Sequence, residues 1–235
     1  NFAINTSVPL GDFALYGFGT LTRKISNNGA GFRVPNFSPL YPNGFLPIIE
    51  PRIWDIGGTV GVRGEFAGFR ADLSQTYGYN KADFRMRDTA NVSLGLASPT
   101  RFDLGGVTYQ QHVTDFTLAK PLAGTLAGGN IAVGGQYRHE SYRIRNGDPS
   151  AYFGLGADGF SGFNPRNPTD AGRNAYAGFV DVELRPVKQL LLGGAARYDH
   201  YHDFGGKATW RATARFDATK GVAVRGTIGT GFKAP

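Results

Sequence analysis

Apolar and polar residues alternate along much of this chain. From Trp54 to Phe66 the even positions read Trp54, Ile56, Gly58, Val60, Val62, Gly64 and Phe66, and the odd ones Asp55, Gly57, Thr59, Gly61, Arg63 and Glu65. A period of two predicts a β-strand with one apolar and one wet face. Beyond the link Ala67-Gly68, Phe69, Ala71, Leu73, Tyr77 and Tyr79 share one side, with Gln75 as the exception. Arg70, Asp72, Ser74, Thr76 and Asn80 share the other, so the two runs form a hairpin on a tight turn. The same alternation carries Ala208, Trp210, Ala212, Ala214 and Phe216, then Val222, Val224, Gly226 and Ile228 across a turn at 217–221. Less regular strands are predicted at 13–24, 107–118, 130–145, 173–185 and 190–200, and no segment carries a helical period.

The connections alternate in length. Short ones fall at 67–68, 119–129, 186–189 and 217–221, and long ones at 26–52, 80–106 and 146–172, with 201–206 a short exception. In an up-and-down meander all the short turns then lie at one end and the long loops at the other. Outer-membrane barrels have that asymmetry, with short periplasmic turns and long extracellular loops. A soluble β-sandwich mixes the two ends through Greek-key crossings. Phe66 and Phe69 flank one short turn and Phe216 precedes another, while Trp54, Tyr77, Tyr79, Tyr198 and Phe232 lie toward the opposite ends, as two interfacial girdles would require. The polar faces, rich in Arg, Asp, Glu, Lys, Thr and Gly, suit a wide water-filled lumen better than a packed small barrel. The expected fold is therefore an all-β, antiparallel, up-and-down transmembrane β-barrel segment of about ten strands. Its rival is a soluble sandwich binding ligand through long loops.

Composition narrows the chemistry. The 235 residues include 35 Gly, 18 Phe, 11 Tyr, 2 Trp and no Cys, with mean hydropathy −0.26 and a formal charge of +7. Without Cys there is no disulfide scaffold, thiolate metal site or Cys nucleophile. No apolar run reaches transmembrane-helix length, which leaves a β-barrel open. Asp199, His200, His202 and Asp203 are metal-ligand types, and two imidazoles at alternate positions plus a carboxylate suit Zn or Fe. A polar hairpin loop at a barrel rim is the simpler reading, and no metal or other cofactor is expected. Gly154-Leu155-Gly156-Ala157-Asp158-Gly159 has dinucleotide-motif spacing but lies in a Gly- and Phe-rich loop with no helix to receive phosphate. Asp181 and Glu183 read as lumen lining rather than an acid/base pair, so no enzymatic activity is expected. Basic residues are scattered over separate loops, which speaks against a nucleic-acid partner.

Several segments together resemble one family. Arg225-Gly226-Thr227-Ile228-Gly229-Thr230-Gly231-Phe232-Lys233-Ala234-Pro235 is similar to a barrel motif in which a strand ends in Gly-Phe-Arg-Ala-Pro, with Lys233 in place of Arg. Ala196 to Lys207 resembles an Arg-Tyr-Glu-x-Tyr-Ser-Asp-Phe-Gly segment, with His202 where Ser is common. Ser98-Pro99-Thr100 with Phe102, Gln136 to Tyr142, and Tyr41-Pro42-Asn43-Gly44-Phe45-Leu46-Pro47 are similar to further loop and strand segments. The family is the TonB-dependent outer-membrane receptors, and the resemblance spans nearly the whole chain. It implies uptake of a scarce nutrient such as a ferric siderophore through a barrel of about 22 strands with a plugged lumen. It also implies a place in the outer membrane of a Gram-negative bacterium, among lipid and lipopolysaccharide, with TonB acting through the plug. The chain supplies only about ten strands, and neither a plug segment nor a TonB box is visible. Residues 1–235 are accordingly expected to be a partial barrel domain without its plug, and the start Asn1-Phe2-Ala3 suggests a fragment or processed chain. A passive or adhesive outer-membrane barrel, which needs no plug, is the alternative.

The expected ligand contacts are loop aromatics, Tyr41, Phe45, Tyr152, Phe153, Phe160 and Phe163, because exposed aromatics on long loops need a reason for exposure. Mutual packing of the loops would explain them too. Arg85 and Arg87 join them as candidates. The wider basic set, with Arg138, Arg143, Arg145, Arg166 and Arg173, fits an anionic ligand, lipopolysaccharide phosphates or plain solvated charge.

Overall fold

The computed structural model describes residues 1–166 and 169–234; Asn167 and Pro168 of the third long loop, and Pro235 of the terminal motif, lie outside it. Ten long strands follow one another: β1 (Phe2–Leu10), β2 (Phe13–Ile25), then, after a two-residue strand β3 (Asn28–Gly29), β4 (Ile48–Phe66), β5 (Phe69–Arg87), β6 (Arg101–Pro121), β7 (Gly129–Asn146), β8 (Asp170–Val187), β9 (Leu190–Tyr201), β10 (Gly205–Thr219) and β11 (Val222–Gly229). They form a single antiparallel sheet in sequence order, with β3 beside β4 as the one branch. Each strand pairs with its sequence neighbour, so the sheet is a meander rather than the two stacked sheets of a sandwich. The sheet is open, because β1 and β11 are not paired to each other.

Tight turns join the strands at one end, and Ala67-Gly68 shows why. Both residues have positive φ (51° and 76°), as a two-residue hairpin turn of this hand requires, and Phe66 then pairs directly with Phe69. All predicted strands are present, but most are longer than the alternation implied. The long loops shrink to 26–47, 88–100 and 147–169, and the 201–206 connection to three residues. Strand β1 was not anticipated. Its Phe2, Ile4, Val8 and Leu10 do alternate, with Thr6 interrupting, but no preceding turn marks the start.

Cross-strand partners share a face. Leu15, Val62, Leu73 and Phe116 form one row across four strands. On that same face Val60 is 61% exposed, whereas Thr59, on the other face, is 8% exposed and hydrogen-bonds Thr76 at 2.8 Å between hydroxyl oxygens. The Val60 face carries exposed Ile4, Val180, Leu192, Trp210, Val224 and Ile228; the Thr59 face carries Asp72, Asp115, Gln136, Asp181 and Arg197.

Toward the loop end this polarity inverts. Above Trp54 and Tyr79 the Val60 face becomes Arg52 and Glu50 on β4 and Lys81, Asp83, Arg85 and Arg87 on β5. The Thr59 face becomes Ile53, Pro51 and Ile49, and Ala82, Phe84 and Met86. That inversion explains the missed strand ends, because the alternation changes sign mid-strand and reads as irregular. The inverted face builds the only hydrophobic cluster found among the described residues: Met86, Phe102, Leu104, Ala151 and Ala157, with Ile49, Phe84 and Phe160 against it. Leu104 is fully buried because the β5–β6 register shifts at Phe84/Arg85. The bulge needs Gly105 in a left-handed conformation (φ 87°), where a Cβ would stand 2.2 Å from the Arg145 carbonyl oxygen.

Candidate ligand-binding mouth

The three long loops fold together over the inverted face. Asn91, fully buried, is the staple: its side-chain NH2 donates to the carbonyls of Ser150 (2.8 Å) and Phe153 (2.7 Å), and its Oδ1 accepts from Ser93 N (3.0 Å). Thr89 Oγ1 donates to Asp158 O (2.7 Å), Asp158 N to Ala90 O (3.0 Å), and Tyr41 Oη to Thr89 O (3.3 Å). Arg33 pairs with Asp158, tying loop 26–47 to loop 147–169. Loop 147–169 is fixed to the sheet through Asp148 N to Asp103 O (2.8 Å) and Phe163 N to Leu104 O (2.9 Å). Backbone groups of three loops are thus satisfied by one another, as burial demands.

Within this cap the anticipated aromatics divide. Phe45 is 5% exposed, stacked on Tyr41 (4.6 Å between centroids) and edge-on to Phe37 (6.0 Å). Burial raises the Tyr41 hydroxyl pKa, and the nearby Asp88 charge adds to it. Phe160 and Phe163 meet edge-on (5.8 Å), each 6.0 Å from Phe84. Tyr152 is half-buried at the end of a short helical turn, Pro149–Tyr152. Phe153 alone of the six is exposed, at 56%; Leu155 (81%) and Leu96 (74%) are exposed as well, and Leu155 N donates to Ser93 Oγ, joining their two loops. Arg85 and Arg87 are not brought to these aromatics. They extend from the Val60 face of β5, opposite the Phe84 and Met86 side that packs under the cap.

Just below the cap, the Thr59 face holds a network that sequence reading did not assemble. Tyr109 Oη donates to Glu140 Oε1 (2.6 Å), Arg173 Nε donates to Glu140 Oε2 (3.1 Å), and Arg173 lies 3.7 Å from Asp203. Arg138 donates to Tyr201 Oη (2.7 Å), and the guanidiniums of Arg138 and Arg173 lie 5.6 and 5.4 Å from the Tyr201 ring centroid. Tyr201, 4% exposed, also stacks on Phe204 (4.4 Å). Arg197 grips Asp199 through both oxygens and reaches Gln136 at 3.0 Å. Three cations meet three carboxylates here, so the inner wall is polar but balanced. The signal was present in the alternate spacing of Arg138, Glu140 and Tyr142, but which strands faced them was not.

A family model for the TonB dependent receptor-like beta-barrel matches residues 12–235. The chain belongs to this family. No curated protein and no solved structure matches it. Membership makes this a receptor and transporter barrel of the outer membrane. Such barrels have short periplasmic turns, long extracellular loops, an apolar face toward lipid and a polar face toward the lumen, which puts the cap outside, the Val60 face against lipid and the Thr59 face along the lumen. No described helix is long and apolar enough to cross a membrane; a barrel of this family crosses with its strands. Phe66 and Trp54 are twelve residues apart. At about 3.4 Å per residue and a tilt near 45° that separation spans roughly 29 Å of depth, matching the hydrocarbon core. Strands β4, β5 and β6, with 19, 19 and 21 residues, continue well above it. Among the described residues no three His, Asp or Glu side chains converge as a metal site. In the receptor barrel Asp199 turns to the lumen and Arg197, while His202 Nδ1 accepts from Asn174 N (3.1 Å).

Proposed function

We propose that this barrel belongs to a receptor that captures a scarce nutrient such as a ferric siderophore at the cell surface of a Gram-negative bacterium, within a bilayer of lipid and lipopolysaccharide, and passes it through the lumen when TonB acts on a plug. Residues 1–235 would then be a partial barrel domain of that receptor. The observation that carries the reading is the cap, in which three loops from different hairpins are hydrogen-bonded into one body over the lumenal face while leaving Phe153, Leu155 and Leu96 exposed. Exposed apolar side chains on an otherwise satisfied surface fit a ligand-contacting role. Tyr41, Phe45, Tyr152, Phe160 and Phe163 would support that surface from beneath, and Arg85 and Arg87 would serve a partner other than the captured ligand. The test is uptake of ⁵⁵Fe-loaded hydroxamate and catecholate siderophores by cells expressing the full-length receptor. Phe153→Ala combined with Leu155→Ala is expected to cut uptake about tenfold, equivalent to roughly 1.4 kcal/mol of binding, with heat-modifiable gel mobility unchanged. Unchanged uptake of a ferric siderophore that the wild type imports would remove this surface from the site.

A further inference from the structure

The outward wall above the lipid carries an arginine cluster that the capture function leaves unused. The cross-strand rows on the Val60 face read, going up, Trp54–Lys81–Thr108, then Arg52–Asp83–Gly106, then Glu50–Arg85–Asp103, then Ile48–Arg87–Arg101. Arg52, Arg85, Arg87 and Arg101, together with Glu50 and Asp103, line a groove of about 490 Å³. The two carboxylates are already engaged. Glu50 accepts from Arg87 Nε at 2.9 Å and lies 3.8 Å from Arg52, and Asp103 accepts from Arg145 at 2.9 Å and from Gly105 N at 2.8 Å. Among the described residues, Arg85 and Arg101 have no hydrogen bond or ion pair to their guanidiniums, and the buried Nε of Arg52 has no acceptor. Glu50 is shared between two of the four guanidiniums, Arg87 and Arg52, Arg87 also pairs with Asp88, and Asp103 is held by Arg145 from outside the groove, so the positive charge and the free N–H donors lie on Arg85 and Arg101.

Its height selects the occupant. The groove begins two residues above the Trp54 row and ends six above it, roughly 5 to 15 Å higher at about 3.4 Å per residue and a tilt near 45°. That is the headgroup zone of the outer leaflet, on the side of the wall facing away from the lumen. Guanidinium forks match phosphate oxygens bidentately, and basic residues at this depth attract anionic headgroups.

We propose that this groove is a docking site for the phosphorylated headgroup of an outer-leaflet lipid, held by Arg85 and Arg101 with Arg52 beneath them. The proposal rests on the extracellular orientation of the loops. The full-length receptor, purified in detergent, is titrated with bisphosphorylated lipid A, with the same lipid after dephosphorylation, and with inorganic phosphate, and bound lipid is counted by native mass spectrometry. Bisphosphorylated lipid A is expected to bind at least tenfold more tightly than the dephosphorylated form. Arg85→Ala with Arg101→Ala is expected to lower its retention at least fivefold, while Lys120→Ala, at the opposite end of the same face, leaves it unchanged. Equal binding of the two lipids, full retention by the double variant, or displacement by inorganic phosphate at concentrations near those of the lipid each overturns the proposal. Labelling a Phe153→Cys variant on intact cells with a membrane-impermeant maleimide separates the two levels. A labelled receptor that ignores the lipid refutes the groove alone, and an unlabelled one removes the orientation beneath it as well.

Discussion

The lower and upper halves of strands β4 and β5 are built from the same backbone ladder yet obey opposite rules. Below the Trp54–Tyr79 level the outward residues are Ile56, Val60, Leu73 and Tyr77, and the inward ones are Asp55, Thr59, Asp72 and Thr76. Above it the outward residues are Arg52, Lys81 and Arg85, and the inward ones are Ile49, Phe84 and Met86. The difference follows from what each face touches. Lipid outside and water inside require apolar-out packing. Water and headgroups outside, with a folded cap inside, require a small soluble-type core instead. The receptor wall is thus a membrane protein up to one row of aromatics and a water-soluble one beyond it.

The largest effect should come from the upper region. Leu104→Ala opens a cavity in a fully buried cluster and should destabilise by about 2–5 kcal/mol. Urea unfolding of the full-length receptor in detergent measures it, and a cost near zero would mean the cap does not pack as a core. Next, the two heights of one face can be compared directly. Val60→Arg places a charge against lipid and should cost about 2–4 kcal/mol near the midplane. Arg85→Val, on the same face above the aromatics, should cost under about 0.5 kcal/mol as a surface change. Equal costs in a vesicle-folding assay would abolish the boundary between the regions.

The smallest effect is electrostatic. Burial acts to raise the Asp83 carboxyl pKa, but donation from Lys81 and Arg145, with their charges, overrides it and holds the group below its ordinary value. Because the folded value is the lower one, the stabilisation is complete above the unfolded value of about 3.9 and is lost as pH falls through the folded one. Asp83→Asn should therefore lower the melting temperature slightly at pH 6, by less than about 1 kcal/mol of stability, and make no difference at the acid end of that window. A deficit that widened on acidification would reverse the sign.

The membrane-level wall was readable from residues alone, because lipid on one side and water on the other impose alternation between the two girdles, clear on β4, β10 and β11 and interrupted on other strands by residues such as Gln75 and Thr6. Val60, Thr59 and the Ala67-Gly68 turn are cases where side-chain type and position agree. The loop-length asymmetry pointed to an outer-membrane barrel, and the terminal motif with the other similar segments pointed to the family by resemblance. Ile48–Arg52 and Lys81–Arg87 were absorbed into loops, since the inversion at Trp54 and Tyr79 breaks the period without breaking the strand. The loop aromatics were visible as a set but not as a geometry. Phe45 and Phe160 differ from Phe153 in what stands opposite them: Phe45 has Tyr41 and Phe37 of its own loop, and Phe160 has Phe84, 76 residues away in the sequence. Whether Arg85 looks toward the mouth or toward the lipid headgroups was likewise undetermined by its own loop-side position. Alternation is a local consequence of a two-sided environment and is written into each strand; the facing of a loop residue depends on which distant backbone closes over it, and only the folded sheet with its register decides that.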